Sequence, residues 1–153
     1  MQIEIEGDRV IAQQVIQHIY QWDKAIVQNN IEALMQKCTA GFNMFDVSGQ
    51  ISGAAVYRQQ WERFSSSFNE HMKISRRKMK LYIAEDLAVL HCYSRVENIL
   101  LQHQSMPWCR TTLCLHKQEG EWLIAHQHIS MPVNLSNGSV IMMDEIPQFK
   151  RVG

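Results

Sequence analysis

Residues 110–132 read RTTLCLHKQEGEWLIAHQHISMP, and this stretch decides the fold. Apolar and polar side chains alternate on both sides of Gln118-Glu119-Gly120-Glu121, the period expected of strands whose successive residues point to opposite faces. A link that short joins antiparallel neighbours, so the segment predicts a hairpin with strands at 108–117 and 121–131. The hairpin gathers ring nitrogens and hydroxyls at His116, His126, His128, Thr112 and Ser130.

The period of two extends upstream to Met72. It predicts one strand over 72–84, a turn at Glu85-Asp86 and a second strand over 87–101. Before Met72 the period changes. Asp8 is placed to cap a helix from Arg9, in which Ile11, Val15, Ile19, Trp22 and Ile26 recur every three or four residues. Asn29-Asn30 ends it, 31–37 reads as a short second helix, and the chain turns at Ala40-Gly41. A strand at 42–47 stops at Ser48-Gly49-Gln50. A third helix starts at Ser52-Gly53, with Tyr57, Trp61, Phe64 and Phe68 along one side. Helices followed by hairpins predict an α+β layer, with three N-terminal helices on a strongly curved antiparallel sheet.

The 153 residues are expected to form a single domain with a core that needs no disulfides, and 133–153 to form a tail or an extra edge strand. Fifteen Lys and Arg balance fifteen Asp and Glu, so the field that draws proteins to nucleic acid or anionic membranes is missing. The start lacks a leader-like apolar run and no segment reaches membrane-spanning length, which predicts a soluble, cytoplasmic protein. The basic run Arg76-Arg77-Lys78-Met79-Lys80 reads as a solvated strand face. Cys38, Cys92, Cys109 and Cys114 form no CxxC pair and read as free, buried thiols. No metal or other cofactor is expected.

His116, Glu119-Gly120, Trp122, Ile124, His126, His128 and Ser130 together resemble the closing hairpin of the nuclear transport factor 2-like superfamily. The resemblance is greatest to its SnoaL-like and ketosteroid isomerase-related members, and a similar run closes the association domain of calcium/calmodulin-dependent kinases. It covers roughly residues 8–132. It implies a cone-shaped open barrel with a cavity between helices and sheet, and a homodimer paired through the outer sheet face.

Counting without a gap from Asn30, the ketosteroid isomerase resemblance puts Asp46 on the catalytic-base position. In those enzymes an Asp moves the proton while a Tyr and a protonated Asp hold the oxyanion. Here the Tyr position is Trp22 and the second acid falls near Thr112 or Leu113. One such donor is typically worth roughly 3 kcal/mol of transition-state stabilisation, so replacing two argues against steroid isomerisation itself. An indole N–H from Trp22 and a hydroxyl from Thr112 are the substitute donors. Asp46 is equally well explained as a turn residue bonding its own backbone.

Strict alternation puts His126 and His128 on one face with Trp122 and Ile124, and Gln127 and Ile129 on the other; a bulge reverses such assignments. The resemblance implies ligand-facing groups at Leu113, Gln127 and Ile129, with both histidines turned away. Trp22, Tyr57 and Trp61 are candidates for an aromatic wall, though each alone reads as core. The expected partner is a hydrophobic or aromatic small molecule. The expected activity is that of a small-molecule-binding protein, of isomerase, dehydratase or cyclase type, with Asp46 as base. The alternative is a noncatalytic association module.

Overall fold

The computed structural model describes residues 2–64 and 71–149. The Asp8 carboxylate accepts from the N–H groups of Val10 and Ile11 at 2.8 and 2.9 Å, satisfying two donors at the start of α1 (Arg9–Val27). The buried face of α1 carries Ala12, Val15, Ile16, Ile19, Trp22 and Ile26, together with one charged residue, Asp23. Asn29, in the left-handed region at φ 54°, breaks the helix, and Asn30 caps α2 (Ile31–Gln36) by accepting from Ala33 N–H. Helix α3 spans Ala54–Phe64. The Phe64 side chain and Phe68 lie outside the described residues.

Among the described residues, seven strands follow the order β1-β4-β5-β6-β7-β2-β3, with β1 at Ile3–Glu6, β2 at Cys38–Phe45, β3 at Gln50–Ser52, β4 at Met72–Ile83, β5 at Leu87–Asn98, β6 at Cys109–Gln118 and β7 at Glu121–Ser130. The four expected strands β4 to β7 form an antiparallel centre. To this the chain adds two parallel pairings, β1 on β4 and β2 on β7, and β3 antiparallel to β2. The result, among the described residues, is an open, mixed sheet under three α-helices, in the α+β class.

Strands β1 and β3 are absent from the sequence expectation. Ile-Glu-Ile-Glu does alternate over β1, but four residues give a weak signal, and the strand is fixed by Ile3 and Ile5 packing on the core. Strand β3 has three residues, too few for any period. The expected turn at Ala40-Gly41 lies inside β2, where Cys38 pairs with Ile124 but Asn43 already pairs with His126. The β6–β7 turn needs positive φ at both central residues, Glu119 at 51° and Gly120 at 80°.

Two further register shifts change which residues face inward. On β4, Arg77 pairs with Tyr93 and Lys80 with His91, so one extra residue is inserted around Lys78, whose φ is 54°. Arg76 and Met79, three apart, are therefore both buried. On β7, Ile124 pairs with Leu115 but His126 with Cys114, leaving Ala125 as the extra residue. Trp122 and Ile124 on one side of it, and Gln127 on the other, are consequently all buried.

The core lies between α1, α2 and the concave sheet face, with Val15, Ile19, Leu34, Leu81, Leu90 and Ile124 among its members. The tail is not a continuous edge strand. Val133 bridges Val140, Met143 bridges Trp108, and Met143 packs with Tyr93, Trp108 and Ile146 as a second cluster. Tyr93 alternates with the core residue Cys92, so this cluster covers the sheet face turned away from the helices. Among the described residues, no helix is long and apolar enough to cross a membrane.

Candidate functional site: a cavity with one unpaired carboxylate

Beyond the filled core, the concave face encloses a cavity of about 380 Å³. Strand β4 contributes Ile74 and Arg76, β5 Ser94 and Val96, β6 Cys109 and Thr111, and β7 Gln127 and Ile129. Met44, Asp46, Tyr57 and Trp61 close the opposite side from β2, its following turn and α3. Most of the wall is apolar or aromatic.

Asp46 belongs both to the turn after β2 and to the cavity lining. It lines the cavity, while one carboxylate oxygen accepts from Val47 N–H at 2.7 Å and its own N–H donates to the Gly49 carbonyl at 2.8 Å. Among the described residues no cation lies within ion-pair distance of it. The Tyr57 ring packs on Phe42 at 4.7 Å and stacks with Trp61 at 6.4 Å. Burial pushes the Tyr57 phenol up, and the charges of Cys38, Asp46 and Asp23 add to the effect, so it stays a neutral hydroxyl. Burial likewise raises the Cys109 thiol, with Asp46 contributing.

Within the wall, Arg76 is 5% exposed and grips Asp23 with two hydrogen bonds of 2.7 Å each, while its third nitrogen reaches the Cys92 sulfur at 3.6 Å. Burial alone would pull the guanidinium down, but the Asp23 carboxylate and the Cys92 sulfur more than offset it, and the arginine stays charged. The expectation of a solvated Arg76 is therefore corrected. Alternation counted from Met79 turns it outward, and the extra residue at Lys78 turns it in. Ser94 and Thr111 hydroxyls meet at 2.6 Å, and Gln127 Nε2 donates to the Met44 sulfur at 3.2 Å.

Asp46, Tyr57, Trp61, Gln127 and Ile129 are thus brought together, whereas three other candidates lie elsewhere. Trp22 and Leu113 are fully buried in the filled core. Thr112 pairs with His128 and His91 and alternates with the wall residue Thr111, so its hydroxyl is on the outer face. Neither proposed substitute donor, the Trp22 indole or the Thr112 hydroxyl, reaches the cavity. Thr111, Ser94 and Arg76 are the polar groups that sequence reasoning missed; parity along β6 puts Thr111, not Thr112, on the same face as Leu113.

His126 and His128 sit outside with Phe45, whose ring meets them edge-on at 5.2 and 5.5 Å, and His126 hydrogen-bonds Asn43. The shared face assigned to Trp122, Ile124 and the histidines is corrected by the bulge at Ala125. All four cysteines are free, and burial pushes Cys38 up to about 12, with the Trp22 side chain opposing. Among the described residues, no group of His, Cys, Asp and Glu is arranged to hold a metal ion.

The family model described as a SnoaL-like domain matches residues 15–134, which takes in most of α1, all of α2 and α3, and every cavity-lining residue. The chain belongs to the SnoaL-like family. No curated protein sequence matches it significantly. Among solved structures, this SnoaL-like chain is similar to a nuclear transport factor 2-like protein of unknown function from Pseudomonas putida, with TM-score 0.80 and 23% identity over 92% of this chain and 100% of that one. It is also similar to a candidate dehydratase of the nuclear transport factor 2-like family from Streptomyces avermitilis, with TM-score 0.68 and 14% identity over 82% and 97% of the two chains. A third similarity is to the association domain of the C. elegans calcium/calmodulin-dependent kinase II, with TM-score 0.65 and 16% identity over 80% and 96%. At these identities the likeness establishes the shared fold.

Proposed function

We propose that this SnoaL-like protein binds an apolar cyclic small molecule between α3 and the sheet, with Asp46 accepting a proton or hydrogen bond from it. The observation that carries the proposal is a single carboxylate without a cationic partner among the described residues, set in a wall that is otherwise mostly aliphatic and aromatic. One oxygen of Asp46 is committed to the turn and the other is available to a ligand. The Tyr57 hydroxyl and the Ser94–Thr111 pair supply neutral polar contacts around it. In an isomerase or dehydratase type of reaction, Asp46 takes the proton and Tyr57 polarises an acceptor on the ligand.

The test is a thermal-shift and calorimetric screen of cyclic compounds bearing a hydrogen-bond donor or an acidic α-proton. Compounds that stabilise the wild type should bind Asp46→Asn on the order of tenfold more weakly, the loss of one charge-assisted bond, while the melting temperature of the free protein stays nearly unchanged. A large loss of stability with no change in binding would reduce Asp46 to its turn role. If the wild type binds nothing, and its assembly state changes when residues 133–153 are removed, the association module is favoured instead.

A further inference from the structure

Three charged residues border the cavity among the described residues, and two of them are already neutralised, Arg95 with its side chain turned to the outer face. Arg76 is matched by the bidentate Asp23 carboxylate. Arg95 is held by Glu97 through Nε and a terminal nitrogen, both at 2.8 Å, and lies over the Trp108 ring at 4.5 Å. Arg95 and its neighbours Ser75 and Lys73 keep Glu97 ionised, pulling its carboxyl down against the opposing effect of burial. Only Asp46 faces the cavity without a counter-charge among the described residues. Nearby, Gln60 Oε1 is a buried acceptor with no partner among them, also on the cavity wall. The second Asp46 oxygen and Gln60 Oε1 thus lack a donor among the described residues, and Tyr57 and Trp61, whose rings stack, line the same cavity with π-faces that attract cations.

We propose that the ligand is an organic cation, an ammonium carried on a flat apolar body, whose charged head binds Asp46 and Gln60 while its body packs against Tyr57, Trp61 and Ile129. This rests on the cavity being a ligand site, and it specifies the ligand's charge. An anionic ligand would need one of the guanidiniums to leave its carboxylate, and for Arg76 that exposes a buried, uncompensated Asp23.

Isothermal titration calorimetry at neutral pH with tryptamine and its uncharged counterpart tryptophol tests the charge, since the two differ only in the head group. The wild type should prefer tryptamine by roughly tenfold, the step from a neutral to a charge-assisted hydrogen bond. The preference should collapse toward parity in Asp46→Asn and in Asp46→Ser, the latter retaining a side-chain acceptor for the turn. Equal affinity in the wild type, or a preference that survives both substitutions, overturns the ammonium assignment and leaves the cavity reading standing. Failure of both compounds and of a neutral bicyclic ketone such as 1-tetralone to bind overturns both. Should both variants fail to fold, the wild-type preference decides alone.

Discussion

The two ends of the concave sheet face are built to opposite specifications. At the closed end, Leu81, Leu90, Leu115 and Ile124 meet Val15 and Ile19 of α1 and leave no polar side chain among them. At the open end the same strands present Arg76, Ser94, Thr111 and Gln127 around a void. The boundary runs through two inserted residues, near Lys78 on β4 and at Ala125 on β7. Because side chains alternate with a period of two, one extra residue exchanges the faces for everything beyond it. Each bulge thus resets which residues face the helices, and the cavity lies on the side of the bulges that carries Arg76 and Gln127.

The open end is expected to depend on its ion pair, and breaking that pair should have the largest effect. Asp23→Ala leaves the Arg76 guanidinium buried and unmatched, which typically costs about 3–5 kcal/mol. Urea denaturation should show a correspondingly lower midpoint. The double variant Asp23→Leu, Arg76→Met removes both charges and should recover most of the loss, as buried pairs exchanged for apolar groups of similar size often do. A double variant as unstable as the single one would mean that the pair is held by geometry rather than by charge compensation.

A paired truncation sharpens the contrast between filled and unfilled ends. Leu90→Ala removes a fully buried side chain and leaves a new hole, for which about 2–5 kcal/mol is typical. Ile129→Ala only enlarges an existing cavity from a half-buried position, so the void term is largely absent and about 1 kcal/mol is expected. Equal losses in the two variants would show that the void closes around Ile129 in solution.

Much of the closed end is legible in the sequence, and much of the open end is not, for a physical reason. The stripe on α1 and the alternation in β4 to β7 follow from burial on one face, which periodicity reports directly. Asp46, Tyr57, Trp61, Gln127 and Ile129 can each be singled out from sequence. Arg76 cannot, because its inward orientation depends on one inserted residue that no composition marks: Lys78 in left-handed conformation carries no glycine signal. Nor does Asp23 announce itself, since a lone acid on an apolar stripe is meaningful only once its partner, 53 residues away, is known. The resemblance points to Thr112 as a wall donor, whereas Thr111, one residue earlier and on the opposite face, forms the wall.

The smallest expected effect lies at the closed end, outside the apolar core, where a polar groove is lined by Gln14, Gln17, Gln21, Gln36 and His18. His18 Nε2 lies 3.2 Å from the Lys37 carbonyl oxygen. Burial lowers its pKa from 6.5 and the Lys37 charge adds to this, while the Lys37 carbonyl and Glu121 oppose it. The unfolded chain therefore takes up the proton at higher pH than the folded one. Stability linked to His18 is complete above the unfolded value and declines as pH falls through the folded one. His18→Gln keeps a donor for the Lys37 carbonyl and removes the titration, so unfolding midpoints measured from about pH 7 to about pH 5 should fall less steeply than in the wild type. Identical slopes would mean that protonated His18 is solvated through the groove. The closed end would then, like the open one, admit water behind its first layer of side chains.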